Sequence, residues 1–380
     1  MAVSTIAGKT IGFALEYSLG HVTHAQNLKA TVARGRSVDP VYVELDYHDQ
    51  SQAWQRLPGV RSNWSLRASL GAYRGLRPHA RRLQAALFHT QVTSLLSAGL
   101  MRRIPSLISL DATPEQYDAL GAHYGHAVGK GKLEEFKKRM NCRAFAAARH
   151  LITWSEWAKG SLVRDYGVPS DKVTVIPPGI DTETWDFAAE RSARHRQGGG
   201  REVCFLFVGG DFARKGGDTL LEAFAQLPAG LPARLSIVTK SDIGKQAEEI
   251  SRRTGRAITV WNGLKPNSPE LRQRFAEADV FVFPSLADCL PLAVMEALSA
   301  GLPVITTHVG ALSEAVEDGV CGRVVPAENA SALTQVIAAV AGDPEGCRRM
   351  GGRAREVAKE RFDATRNYRR LVSLVEGVAE

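Results

Sequence analysis

Two carboxylates, Asp288 and Glu296, stand with seven residues between them in FPSLADCLPLAVMEALSAGLPVITT (283–307). The run DVFVF ahead of them reads as a buried strand and PLAVMEALSAG as a helix closing at Gly301. Asp288 therefore belongs to the loop leaving the strand, near the helix N-terminus, and Glu296 to the inward face of the helix. Carboxylates accept hydrogen bonds from hydroxyls, so two of them in this setting suit the hydroxyls of a sugar and of a ribose. A local reading competes, in which Asp288 caps the helix and Glu296 is a solvated acid. In FVGGDFARKGG (207–217) a strand ends at Val208, the chain turns on Gly209 and Gly210, and Arg214 and Lys215 precede a helix starting near Asp218. Two cations at a strand's carboxyl end can neutralise a diphosphate, although neither GxxxxGK[ST] nor GxGxxG is present. In THVGALSEAVEDGVCGRVVP (307–326), Gly310 and Ala311 follow the strand LPVITT. A helix starting near Leu312 would offer its free N–H groups to an anion.

These segments need a scaffold, and the pattern around them supplies one. TIGFALEY, PVYVELDY, ALFHTQ, PSLISLDATP and the start of LITWSEWAKG read as strands in the first half, with helical patterns between them, VTSLLSAGLMRR and EEFKKRMNCRAFAAARH included. The second half repeats the style with EVCFLFVGG, ARLSIVTK, AITVWNG, DVFVFPS and LPVITT. Short apolar strands alternating with helices predict parallel sheets covered on both faces, an α/β chain of two doubly wound, Rossmann-like domains. KVTVIPPGIDTETW runs from a short strand into a Pro-Pro-Gly break, which marks the hinge. In such an arrangement ligands sit at strand carboxyl ends, in a central cleft that the two domains face.

The 380 residues suit two domains, and no run approaches the roughly 18 apolar residues of a membrane span. MAVSTIAGKTIGFALEY is too polar for a secretory signal and reads as a buried first strand. Five cysteines without a CxxC pair indicate a reducing cytosol and neither a disulfide framework nor a zinc site. The net charge of +8 is uneven: residues 1–178 hold 23 Lys and Arg against 13 Asp and Glu. Gln50 to Leu110 contains no acid, and carries Arg56, Arg61, Arg67, Arg74, Arg77, Arg81, Arg82, Arg102 and Arg103 with Trp54, Trp64 and Tyr73 interleaved. Cations among interfacial aromatics suit an anionic surface such as phospholipid head groups, and equally a solvated face kept for solubility. Nucleic acid is not expected, because no helix-turn-helix, zinc-finger or RNP pattern accompanies the charge.

The order of cationic turn, acid–x7–acid, glycine-rich turn and C-terminal helix resembles the nucleotide-sugar domain of the retaining glycosyltransferases of family 4 (glycosyl transferases group 1), which have the GT-B fold. The likeness covers RKGGDTLLEAF, ADVFVFPS and MEALSAGLPVITTHVGALSEAVEDGVCGRVVP, and begins near Lys172. The first half is similar more loosely, through the Gly20 turn and the strand ends LFHTQ and ISLDATP. The resemblance implies an acceptor-binding domain over 1–178, a nucleotide-sugar domain over 179–360 and a helix over 361–380 that crosses back to the first. It gives Glu296 the ribose, Asp288 the donor sugar and Lys215 the diphosphate, with Arg214 beside it. Gly210, Gly20 and His21 face the donor phosphates, and the loop through Leu290, Pro291 and Leu292 touches sugar and phosphate. Three departures stand out: Asp288 replaces the family's usual Glu, Val208-Gly209-Gly210 replaces VGR, and Asp111 stands where a His is common. Asp111 either orients a hydroxyl of acceptor or sugar, or caps the turn ahead of Thr113-Pro114.

The function this resemblance implies is transfer of a sugar, a hexose by expectation, from a UDP- or GDP-sugar to a hydroxyl of a glycan, lipid or small molecule, with retention. Asp288, Lys215 and Asp111 are the expected catalytic residues. No DxD motif ends an N-terminal strand and cations already serve the diphosphate, so no metal and no cofactor is expected. The expected location is cytoplasmic, at most peripheral on a membrane. Two alternatives remain open: a non-catalytic module that binds sugar nucleotides, and a nucleotide-sugar epimerase of the same fold.

Overall fold

The computed structural model describes residues 8–379 except 19, 36, 50, 126–128, 130, 188 and 192–201. The chain divides into two compact units: Met1–Gly121, His126–Gly179 and Ala364–Glu380 form one, and Ala122–Gly125 with Ile180–Asp363 the other. Each is built on a six-stranded sheet whose pairings are all parallel. No helix among the described residues is long and apolar enough to cross a membrane.

The first unit holds β1 (Lys9–Tyr17), β2 (Val38–Asp46), β3 (Ala85–His89), β4 (Ser106–Leu110), β5 (His150–Thr153) and β6 (Val173–Val175), in the order β2-β1-β3-β4-β5-β6. The inner strands read as unbroken apolar runs because both sheet faces are covered. On one face Ile11, Phe13, Leu15, Leu87 and Leu107 pack against Ala25, Leu28 and Val32 of helix His21–Gly35 and Tyr368, Leu371 and Val375 of helix Ala364–Gly377. On the other, Phe88, Ile108 and Leu110 meet Ala72 and Leu76 of helix Trp64–Leu76 and Ala144 and Phe145 of helix Lys132–Ala147. β2 is an edge strand, and Pro40 within it removes one N–H that another strand could pair with. The single helix that VTSLLSAGLMRR predicts is two short ones, Gln91–Ser94 and Ala98–Met101. The cause is local: the Thr93 and Ser94 hydroxyls donate to the Thr90 and Gln91 carbonyls at 2.7 Å each, competing with the backbone ladder.

The second unit holds β7 (Val203–Val208), β8 (Ala233–Thr239), β9 (Ile258–Asn262), β10 (Val280–Phe283), β11 (Val304–Thr307) and β12 (Gly322–Val325), in the order β12-β11-β10-β7-β8-β9. Its core is aromatic, with Phe205, Phe207, Phe224, Phe275, Phe281 and Phe283 all fully buried. The unit's two ends meet. Ile180 N–H donates to the Phe362 carbonyl at 2.7 Å, and the Thr182 hydroxyl to Asp363 at 3.1 Å.

Tyr368 shows what secures the C-terminal helix within the first unit: its ring is 1% exposed, and its hydroxyl lies 3.1 Å from Nδ1 of buried His24. Replacing Tyr368 by Phe removes the hydroxyl with its polar contacts to His24, Asn27 and Gly179, and should cost about 1–2 kcal/mol. Tyr368→Ala empties an aromatic site and should cost about 3–5 kcal/mol. Urea unfolding measures both, and equal losses for the two variants would contradict this division.

Candidate active site

In the second unit the winding reverses between β7 and β10, which are neighbours in the sheet. Open α/β sheets leave a crevice outside the strand carboxyl ends at such a point. Segments 209–216, 284–291 and 308–312 follow β7, β10 and β11 there. They are packed backbone to backbone. Gly216 has φ +77°, and a Cβ on it would lie 1.8 Å from the Pro284 carbonyl oxygen; at Gly310, φ +58°, a Cβ would lie 2.0 Å from the Asp288 carbonyl oxygen. Leu286 N–H donates to the Arg214 carbonyl at 3.0 Å, Ala311 N–H to the Cys289 carbonyl at 2.9 Å, and the Thr307 hydroxyl to the Ser285 carbonyl at 2.7 Å.

This framework brings four polar side chains together. Lys215 Nζ donates to Asp288 Oδ2 at 2.6 Å, the Ser285 hydroxyl donates to the same oxygen at 3.0 Å, and Arg214 Nη1 lies 3.7 Å from it. Asp288 lies on the loop leaving β10, as the sequence predicts, and at 7% exposed it is an interior group. Arg214 is occupied as a clamp: Nη1 donates to the Ala287 carbonyl at 2.6 Å and Nε to Asp211 at 3.1 Å, and the guanidinium lies 4.4 Å from the centre of the Tyr124 ring. Burial works against its charge, but Asp288, Tyr124 and Asp211 more than offset that and raise its pKa. Lys215 Nζ also sits 5.0 Å from the centre of the Phe283 ring.

Glu296 lies on helix Leu292–Ser299 and is 8% exposed. Its carboxylate makes no hydrogen bond or ion pair among the described residues, and burial pushes it up to about 7. Leu290 is buried, Pro291 is the helix N-cap and Leu292 its first residue. Gly210 is exposed, and a Cβ there would come no nearer than 3.7 Å to Lys240, whose exposed side chain adds a cation just past β8. The helix expected to begin near Leu312 is a single turn, Leu312–Ala315, too short to present a sustained dipole. Sequence reasoning left Ser285 and Lys240 without roles. A hydroxyl three residues before the loop acid was the available signal for Ser285, and only the sheet order reveals Lys240.

The first unit gathers a second polar group, at the carboxyl ends of β1, β3 and β4. His21 Nδ1 lies 3.0 Å from His89 Nε2, and His21 Nε2 lies 3.8 Å from Asp111 Oδ2. His24 and His89 are buried, stack at 4.3 Å between ring centres, and lie 5.1 and 5.5 Å from the Trp154 ring. Burial takes His24 down to about 3 and His89 well below its ordinary value, so both are neutral. The same burial raises the pKa of Asp111, with His21 pulling the other way. Beside them Glu16 accepts from the hydroxyls of Ser18 and Thr90 at 2.5 Å each and from Trp64 Nε1 at 3.3 Å. Asp111 also accepts from Ala112 N–H at 2.9 Å, while the Thr113 side chain caps the helix that starts at Pro114. Helix capping is thus done by Thr113, and Asp111 is turned to His21. Gly20 stands in open space at the start of the helix.

The chain is similar to known proteins. Residues 202–343 match the model for glycosyl transferases group 1, and residues 20–184 that for glycosyltransferase family 4. Over 213 residues the chain is 29% identical to an MMP alpha-(1->4)-mannosyltransferase of Mycolicibacterium hassiacum, covering 56% of this chain and 50% of that protein. It is 34% identical over 209 residues to a D-inositol 3-phosphate glycosyltransferase of Geodermatophilus obscurus, covering 51% and 46%. The chain thus spans about half the length of the curated relatives it matches. Among solved structures, sucrose-phosphate synthase of Thermosynechococcus elongatus superposes with a TM-score of 0.75 at 20% identity, over 97% of this chain and 99% of that one. Anabaena Alr3699/HepE in complex with UDP gives 0.70 at 15%, over 97% and 100%. At those identities the likeness is one of fold, and the fold is GT-B.

The carboxyl of Glu296 stands at about 7 in the folded chain against 4.5 ordinarily. A raised carboxyl favours folding while it is protonated: its contribution is whole below about 4.5 and is lost as pH rises through about 7. The shift corresponds to roughly 3 kcal/mol. The melting temperature of wild type relative to Glu296→Gln should therefore fall as the pH is raised from about 5 to about 8. A pH-independent difference between the two would contradict the burial argument.

Proposed function

Because the chain belongs to the group 1, family 4 glycosyltransferases of GT-B fold, we propose that it is a retaining hexosyltransferase, taking its sugar from a UDP- or GDP-sugar. The observation that carries this reading is the pairing of a cation cluster with an unpartnered buried carboxylate at the β7/β10 reversal. Lys215 would hold the diphosphate, with Arg214 fixing the loop beside it. Gly210, Leu290, Pro291 and Leu292 would line the donor, and the hydroxyls of the ribose would be held by Glu296. Gly20 and His21 would serve the donor phosphates from the first unit, and Asp111 would orient the acceptor hydroxyl.

In the reaction the bond from the anomeric carbon to the diphosphate oxygen breaks and one to the acceptor oxygen forms. The acceptor's proton leaves with the nucleotide or through a neighbouring base. The leaving diphosphate gains charge as the bond breaks, and Lys215 in a partly desolvated place is worth more to it than a solvated cation. The cations supply the charge a metal would otherwise bring, so the reaction is proposed to be metal-independent. Incubation with a panel of nucleotide sugars tests the reading. Slow release of nucleoside diphosphate supports a transferase, whereas thermal stabilisation without turnover on any acceptor would mark a binding module. At about pH 8, where Glu296 is ionised, Glu296→Gln should weaken UDP or GDP binding about tenfold, the worth of a charged hydrogen bond; unchanged affinity would remove Glu296 from the ribose.

The same reading includes an anionic membrane surface as partner of the arginine-rich segment. Arg56, Arg61, Arg74, Arg77, Arg81 and Arg82 are exposed, as are Leu57 at 54% and Leu66 at 36%. Arg74 lies over Trp54 and Arg77 over Tyr73. Arg67 must be struck from the set: it is buried, donates to the Arg61 carbonyl at 2.7 Å, and sits over the Trp64 and Tyr47 rings. Binding to vesicles containing phosphatidylglycerol should weaken steeply between about 50 and 300 mM salt, because exposed charges are screened. Salt-independent binding, or none, would leave the segment as a solvated face.

A further inference from the structure

Resting on the nucleotide-sugar reading above, we infer that Asp288 acts on the donor through Lys215. It is the anion with which a diphosphate must share that lysine, and it sets how tightly donor and leaving nucleotide are held; it is not a ligand of the sugar.

Geometry fixes the carboxylate where it is. Lys215, Ser285 and Arg214 all address a single oxygen, Oδ2, at 2.6, 3.0 and 3.7 Å, and the side chain is 10% exposed. The backbone beneath it cannot advance. The Ala287 carbonyl is held by Arg214, and the Asp288 carbonyl faces Gly310 at a distance that leaves no room for a Cβ. An ammonium carries three donors, so Lys215 can take up a phosphate oxygen while keeping Asp288. Two anions then meet around one cation, in a site where solvent screens them little, and like charges so placed repel. Loss of the carboxylate also frees the lysine side chain, which opposes binding. That entropy is bounded by the few rotamers of one chain already wedged beside Phe283, so the relief of repulsion is the larger effect.

Calorimetric titration of UDP and GDP, and of their hexose conjugates, into wild type and Asp288→Asn reads this directly. Asp288→Asn should bind the sugar-free nucleoside diphosphate about tenfold more tightly, and the nucleotide sugar should gain by the same factor. The gain should shrink to about twofold or less in the presence of Lys215→Gln, since the effect runs through that lysine. Unchanged or weaker binding of the sugar-free diphosphate overturns the inference. So does a loss confined to the nucleotide sugar, which would make Asp288 a sugar ligand after all. Should Asp288→Asn fail to fold, Ser285→Ala replaces it. Removing the hydroxyl leaves Oδ2 more fully to Lys215 and should weaken UDP or GDP binding about two- to threefold, and no change overturns the inference. Wild-type protein that binds no UDP or GDP species would withdraw the nucleotide-sugar reading itself.

Discussion

One oxygen atom of Asp288 organises the second unit's site. Around it converge a lysine from the turn after β7, a serine from the turn after β10 and, a little further off, an arginine that braces the loop between them. Partly buried charges are tolerable only when paired, and here the pairing also decides where the lysine points. Charge is thus stored in the site as a near-balanced cluster and not as a bare positive patch.

Glu296 is held by the opposite device. Its carboxylate is buried without a partner among the described residues, which raises it to about 7 and leaves its hydrogen-bonding capacity unspent. The two acids are separated by seven residues and by a difference in kind: one carboxylate is satisfied within the fold and the other has no partner among the described residues. In the first unit the histidines follow the same logic. His24 and His89 are neutral packing groups within an aromatic nest, and only His21 reaches both a histidine and a carboxylate. Burial, not residue type, is what keeps His24 and His89 neutral.

Much of this was legible in the sequence. Eleven of the twelve strands announce themselves because parallel sheets covered on both faces demand apolar runs, and the turn glycines because positive φ and close approach exclude a side chain; the short edge strand β12 does not. The acid pair, the Arg214-Lys215 turn and the Gly310 turn carried the family resemblance. What stayed hidden depends on partners far apart in the chain. Nothing near residue 288 says that its carboxylate meets a lysine 73 positions earlier, and nothing near Arg67 says that two aromatic rings and a carbonyl withdraw it from the surface. The break at Leu96-Ser97 was missed because apolar periodicity outweighs, on paper, the hydroxyls that unpick the helix.

The close approach of Gly216 to Pro284 and of Gly310 to Asp288 has a consequence for how such a chain can diverge. Those positions answer to main-chain atoms, which no compensating substitution can shorten, so a lineage has almost no freedom to alter them. The side chain at 288 answers only to other side chains, and it can be lengthened or exchanged while the turns stay put. Evolutionary change in this site is thereby channelled into the tips of residues and away from their backbone, so that new preferences can arise without a new fold.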